Sequence, residues 1–336
     1  ETIIKNNKIV KYLLNKFQPE QRSPEWFEMR EGMITASDLA TAINENPYSS
    51  QFDLIKKKCK LTGYQPNKFT EWGVKYEPVA DLIYEYKYHK KIIEFGLLKH
   101  DTIDILGASP DGITNDGIMV EIKCPFSREI TGIVPHYYWV QIQIQLEVCD
   151  LEWCHFEECG LAEYDTYEEF LLDTNDNGIQ HLTFDNMNKG IVLVAFDEVL
   201  EKNIYFYSPI KYTIDELDNW TENKIDEICE MENVSFSKTT WWKLHTFSCV
   251  KVKRDPEWFQ ETLPKIYLFW KDLTYYKSNV EELMLKVEEK KRNKYLFIDG
   301  EKKYQKEKLE YLFINDEEKN SLMKKNRCNN EKKKIF

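Results

Sequence analysis

The sequence predicts a mixed α/β layer fold, and three observations carry that expectation. Between Glu71 and Glu158, short β-prone runs alternate with amphipathic helical stretches, the pattern of a sheet covered by helices. Hydrophobic residues make up 42% of the 336 and aromatics 14%, enough to bury a core in a chain of this size. No apolar run reaches the roughly 18 residues that a membrane-spanning helix needs, so a membrane protein of that kind is not expected.

Taken in order, residues 1–20 read as an amphipathic helix with Ile4, Val10, Leu13, Leu14 and Phe17 on one side. Ser23-Pro24-Glu25 is a helix start, with Ser as N-cap, Pro at the first helical position and Glu in the first turn. This helix carries Trp26, Phe27 and Met29 and stops near Gly32, and a second start at Thr35-Ala36-Ser37-Asp38 leads into Leu39 to Ile43. Glu71 to Tyr88 is a longer helix whose buried stripe is Trp72, Tyr76, Val79, Ala80, Ile83 and Tyr84. Strands follow at Ile92–Leu98, Ile103–Ala108 and Met119–Lys123, with Asp111-Gly112 and Asp116-Gly117 as turn signals between the last two. Pro135–Val148 has a helical pattern and Trp153–Glu158 that of a strand.

Residues 161–189 read as an acidic, loop-like insertion. Its oxygen-rich run from Asp173 to Gly178 lacks the Glu that would close a calcium loop, position 184 being Phe. Ile191–Phe196 and Ile204–Tyr207 form an expected hairpin, and residues 213–300 read as mainly helical and rich in aromatics. The predicted organisation is a core over residues 1–210 and a helical extension over 211–336. The extension ends in a tail from Lys319 with seven basic residues and one acidic, which reads as a solvated end or a nucleic-acid contact.

The net charge of −12 excludes a protein that coats nucleic acid over its whole surface, and leaves room for a local basic groove. Eight cysteines contain no C-x-x-C pair, which removes sequence support for a zinc ribbon. Cys149, Cys154 and Cys159 are evenly spaced but lack a tight triplet, so free thiols in a reducing compartment are expected rather than an iron–sulfur cluster. The start has no secretory signal, which predicts an intracellular, unsecreted protein.

Chemistry concentrates in Gly107-Ala-Ser-Pro-Asp111-Gly-Ile and Val120-Glu121-Ile122-Lys123-Cys124-Pro125. Alternation along a strand points Glu121 and Lys123 the same way, and Asp111 lies across the hairpin. Two carboxylates and a lysine at one sheet end suit phosphodiester hydrolysis with Mg²⁺, though a turn and a solvated strand face produce the same pattern. Glu77, inside Trp72-Gly-Val-Lys-Tyr76-Glu77-Pro78, is a carboxylate beside an apolar stripe and needs a partner if it is buried. Arg30 precedes Ser37 by seven residues, and a guanidinium with a helix start suits a phosphate; an N-cap and a surface arginine would look alike. In Tyr137-Tyr-Trp-Val-Gln141-Ile-Gln143-Ile-Gln145, Gln141 and Gln145 share a helical face and Gln143 lies on another, so at least one amide points inward.

Together, Glu77, Asp111, Glu121-Ile122-Lys123, the Tyr-x-x-Gln-x-Gln helix and Trp26-x-x-x-Arg30-x-Gly32-x-Ile-Thr-Ala-Ser37 resemble the ordered motifs of the lambda exonuclease and YqaJ-type viral recombinase nucleases. These belong to the PD-(D/E)XK superfamily, and the resemblance spans residues 22–158. It implies a restriction-endonuclease-like core, a central mixed sheet flanked by helices. Asp111, Glu121 and the Ile122 carbonyl would bind one or two Mg²⁺ ions, or Mn²⁺ in their place, with Glu77 completing the site. Lys123 would assist the attacking water. Arg30, Ser37 and Gln143, or Gln141 two residues earlier, would receive a 5′-phosphate. The implied activity is 5′→3′ digestion of one strand of duplex DNA from its ends, feeding a single-strand annealing protein, in a homo-oligomer or a monomer. An endonuclease of the same fold and a silent interaction scaffold are the alternatives.

Overall fold

The computed structural model describes residues 8–63, 67–290 and 292, so the basic tail from Lys319 lies outside the described residues. Glu1–Leu273 form one compact unit and Thr274–Phe336 another, and the strands named below all lie in the first. The first helix, α1 (Lys8–Asn15), ends before the expected limit at residue 20, and residues 1–7, with Ile4, lie outside the described residues. The chain after it instead docks on a later segment: Gln18 Oε1 accepts from the Gly96 amide (2.8 Å) and the Pro19 carbonyl from the Leu97 amide (3.1 Å). Only glycine permits this approach, because a Cβ at Gly96 would sit 2.1 Å from the Pro19 oxygen.

Helix α2 (Pro24–Glu31) is built as its sequence announces, with Ser23 Oγ accepting from the Trp26 amide at 3.2 Å and Gly32 at the C-cap. Next come β1 (Ile34–Thr35), α3 (Ala36–Ala42) and α4 (Gln51–Lys58), the last opened by a Ser50/Asp53 capping box. Helix α5 (Lys68–Tyr88) starts a turn earlier than expected and runs through Pro78. The expected strand Ile92–Leu98 is two short strands in different sheets, β2 (Ile92–Ile93) and β3 (Leu98–Lys99). They lead to β4 (Leu106–Ala108), β5 (Gly112–Thr114), β6 (Met119–Lys123), α6 (His136–Cys149) and β7 (Trp153–Glu163). The remainder is α7 (Tyr167–Leu172), β8 (Lys189–Asp197), β9 (Lys202–Tyr207), α8 (Ile214–Glu230), β10 (Val234–Lys253) and α9 (Pro256–Ser278).

The main sheet has seven strands in the order β2-β5-β6-β7-β10-β8-β9, and β1-β4-β3 form a small second sheet. In the main sheet β6 and β7 run parallel, while the other named pairs are antiparallel. A mixed sheet flanked by helices is the architecture expected. The described part of residues 213–300 is mainly helical, as expected, but between α8 and α9 lies β10, 20 residues long, which pairs with both β7 and β8. The sheet therefore continues past residue 210. Register shifts at Phe236/Lys238 and Leu244/Thr246 interrupt the two-residue alternation that would have announced this strand. The insertion at 161–189 is also partly ordered structure, since β7 runs to Glu163 and α7 follows. Its Asp173 carboxylate accepts from Tyr164 (2.7 Å), the Phe184 amide (2.8 Å) and Lys243 (3.1 Å), which makes it a structural tie.

Helix α5 lays Tyr76, Val79, Ile83 and Tyr84 on one face of the sheet, against Val120, Ile122 and Trp242. A second core places Phe170, Leu217 and Ile228 over Ile191 and Leu193. Because Val120 and Ile122 face α5, strand alternation turns Glu121 and Lys123 to the opposite face, towards α6. Trp242 on β10 is 1% exposed. Trp242→Ala is expected to cost about 3–5 kcal/mol, read by urea denaturation; a cost below about 1 kcal/mol would remove β10 from the folded core.

Candidate active site

Glu121 has no exposed surface, and three donors reach its carboxylate. Gln141 Nε2 donates to Oε1 at 2.6 Å, Gln145 Nε2 to Oε2 at 2.7 Å, and Lys123 Nζ also donates to Oε1. Asp111, at the turn into β5, accepts the Ile122 amide at 2.7 Å through Oδ2, which lies 4.0 Å from Lys123 Nζ. Glu77 approaches from α5 and faces Arg22, with 3.5 Å between Nη2 and Oε2. Pro78 follows it inside the helix, where the missing N–H leaves the carbonyl four residues back without its usual donor.

Of these groups Arg22, Glu77 and Asp111 line a cavity of about 520 Å³, whose other charged lining residues are Glu20, Asp81 and Glu94. Burial, and then the neighbouring Glu121 charge, push the Asp111 carboxyl well above the usual carboxylate range. Burial likewise raises Glu77, against the pull of Arg22 and Lys123. Burial and the Glu77 charge push Asp81 up to about 8, and its buried Oδ1 has no hydrogen-bond partner. Burial alone would lower the Lys123 amine, but Glu121 and Asp111 outweigh it and hold Lys123 above its ordinary value, fully charged. Arg22 meets this acid cluster from a left-handed backbone conformation (φ 68°), a strained one for a side chain of its size.

Of the residues expected to receive a phosphate, Arg30 and Ser37 are in contact. Arg30 Nη2 donates to Ser37 Oγ (3.0 Å), and the guanidinium lies 4.2 Å over the Trp26 ring. Trp26 Nε1 donates to Ser109 Oγ at 2.9 Å, tying α2 to the turn that carries Asp111. Below Ser37, the buried Asp38 accepts from Thr35 (2.8 Å) and pairs with Lys58 (2.7 Å). Gln143 does not join this pocket. Its Nε2 donates to the Lys253 carbonyl (2.9 Å) and its Oε1 accepts from the Asp255 amide (2.7 Å), so it pins α6 to the end of β10. Gln141, the alternative two residues away for that pocket, donates instead to Glu121, as Gln145 does.

Residues 25–152 match the YqaJ-like viral recombinase domain. An uncharacterised protein of Acanthamoeba polyphaga mimivirus is 31% identical over 301 residues, covering 79% of this chain and 54% of the relative, so the chain spans about half that relative's length. A protein of African swine fever virus (strain Badajoz 1971) is 25% identical over 324 residues, covering 79% of this chain and 89% of the viral protein. Among solved structures, an alkaline exonuclease from Laribacter hongkongensis is similar at 20% identity and a TM-score of 0.46, covering 79% of this chain and 100% of its own.

The matched segment contains Glu77, Asp111, Glu121, Lys123 and the glutamine helix, while Arg22 lies just before it. Arg22 and Asp81 join the candidate site without having been expected there, and Gln145 proves to be one of the inward amides. Asp81 had a legible signal, four residues after Glu77 and so on the same helical face. Arg22 had none, because its place depends on the turn before α2. Among the described residues no three acidic, imidazole or thiol groups are already gathered as a cation cage.

Asp81 supplies a pH test. Its folded pKa, about 8, exceeds the ordinary value of 3.8, so the carboxyl costs stability increasingly as pH rises through that interval. Asp81→Asn is expected to stabilise the metal-free protein by about 2 kcal/mol near pH 8 and to change nothing near pH 4. Denaturant midpoints at the two pH values check this, and an equal effect at both would contradict it.

Proposed function

We propose that this chain is a metal-dependent DNA exonuclease that digests one strand of linear duplex DNA from a 5′-phosphate end. The observation that carries the reading is the convergence of Asp111, Glu121 and Lys123, with Glu77 beside them, at the end of β6 and against an acid-lined cavity. The viral recombinase domain supports DNA as the substrate.

The donor set fits a hard divalent cation. It consists of carboxylate oxygens in excess over the nearby cations, with Asp111 and Glu77 pushed towards protonation by burial and mutual repulsion. Asp111 and Glu121, with Glu77 and the Ile122 carbonyl, would hold Mg²⁺ or Mn²⁺. Such an ion supplies polarisation of the scissile phosphate and a lowered pKa of bound water. The protein's own part follows from its charges. Lys123 is a held ammonium, so it serves as a donor to the attacked phosphate, where negative charge grows, and not as the base that takes the water's proton. Gln141 and Gln145 fix the Glu121 carboxylate so that neither oxygen turns away. Arg30 and Ser37 offer a guanidinium and a hydroxyl to a terminal phosphate, a group that an enzyme cutting internal bonds has no use for.

Linear duplexes labelled at either end, with or without a 5′-phosphate, and a closed circle test the reading in Mg²⁺. Wild type should remove the phosphorylated 5′ strand, and Glu121→Gln and Lys123→Ala should each slow it by about a thousandfold. Cutting of the circle would replace the exonuclease with an endonuclease, and an inert wild type would leave a scaffold. A readout independent of turnover is thermal stability: Mg²⁺ should raise the wild-type melting midpoint and leave that of Asp111→Asn unmoved.

A further inference from the structure

Strand β9 is the last of the main sheet and, among the described residues, pairs only with β8. The sheet's other edge, β2, has two residues, whereas β9 offers six. The bond from the Ser208 amide to the Ile191 carbonyl (3.0 Å) sets the alternation along it. Ser208, Phe206 and Ile204 turn their backbone groups to β8, and Tyr207, Tyr205 and Asn203 turn theirs outward. Native sheets blunt such an edge with a proline, a bulge or charged side chains. Here β9 has no proline, its register with β8 is unbroken, and Lys202 is its one charged residue. Its side chains are packed on both faces, Tyr205 and Tyr207 towards α5 and Ile204 and Phe206 towards α8, so the edge itself is what stays open.

The turn between β8 and β9 adds a separate observation. Asp197 Oδ1 accepts from the Val199 and Leu200 amides (3.0 and 2.9 Å), and the Glu198 amide donates to the Asn233 carbonyl (2.9 Å). The turn is pinned, yet Val199 and Leu200 are 71% and 58% exposed, and Met231, two residues before Asn233, is 38% exposed. Glu198, Glu201, Glu230 and Glu232 stand exposed around this apolar tip. Among the described residues none of the four is in an ion pair. Such a rim repels phosphate, and it repels the same rim on a second copy of the chain.

We propose that β9 is a docking edge for a basic, extended segment of another protein. The segment adds to the sheet as a further strand, through the outward amides and carbonyls of Asn203, Tyr205 and Tyr207. Its lysines or arginines meet the glutamates around the tip, and its apolar side chains cover Val199 and Leu200. Main-chain bonds then supply affinity, and the charge and apolar contacts supply specificity. The inference does not draw on the nuclease reading.

The test selects peptides for binding to the full chain from a displayed random library, then measures the selected peptides by fluorescence anisotropy. These peptides should alternate apolar residues with lysine or arginine. Binding should weaken by about 10-fold or more in Tyr205→Pro, which removes an outward amide and leaves the ladder to β8 its donors. Glu198→Lys combined with Glu230→Lys, at exposed positions, should weaken it comparably and keeps the test decisive if the proline unfolds the strand. Unchanged melting midpoints show that a variant is folded. Peptides that bind the folded variants as tightly as wild type overturn the docking edge, as does a selection that yields no basic, alternating peptide. Sedimentation velocity addresses the other occupant: a wild-type dimer that Tyr205→Pro returns to monomer overturns the proposal in favour of a second copy.

Discussion

A carboxylate with no exposed surface requires donors on both oxygens, and the candidate site grows from the way Glu121 obtains them. Two come from α6, one turn apart, and the third from Lys123 on its own strand. Removing one partner of a buried charge of this kind costs about 3–5 kcal/mol, more than most single contacts in a domain contribute. The pairing therefore fixes the height and rotation of α6 over β6. Gln143, on another face of the helix, bonds both a carbonyl and an amide at the end of β10, so α6 is held from two directions. With β6 fixed, the Ile122 amide orients Asp111, and the Trp26–Ser109 bond carries the same frame to the Arg30 and Ser37 pair.

The site is assembled against its own electrostatics. Glu77, Asp81 and Asp111 are all pushed above their ordinary values, and Arg22 and Lys123 only partly offset the repulsion. A fold selected for stability alone would have neutral groups here. Perturbed carboxylates gathered around a cleft are instead what catalytic or cation-binding chemistry demands, and the strained Arg22 backbone belongs with them. The conformation at Arg22 places a guanidinium over Glu77 that a relaxed turn would direct elsewhere.

How much of this the sequence disclosed depends on the range over which each signal acts. Helices α2, α5 and α6 were legible because caps and three- and four-residue steps act locally, as were the β8–β9 hairpin and the shared face of Glu121 and Lys123. Strand β10 was not, because its two register shifts break the alternation and its partners lie far away in the chain. Asp111, Glu121 and Lys123 converge through a short hairpin, which sequence spacing can encode. The bonds of Gln143 were not legible, because both of its partners lie more than a hundred residues away. Periodicity could say that an inward amide needs a partner, but not which one.

Topology explains why the chemistry collects at this end of the sheet. In a main sheet otherwise antiparallel, β6 and β7 form a parallel pair, and a parallel pair cannot be closed by a tight turn. The chain must cross over, and here the crossover is α6, which lies on the sheet face that Glu121 and Lys123 share. The same connection carries Phe126 and Arg128 before the helix and Tyr137 and Tyr138 in its first turns. Helix α5 covers the opposite face and contributes Glu77, which lines both the acid-lined cavity and an aromatic one walled by Phe69, Phe126, Tyr137 and Tyr138. One parallel strand pair thus sets a carboxylate cluster and an aromatic wall on either side of Glu77.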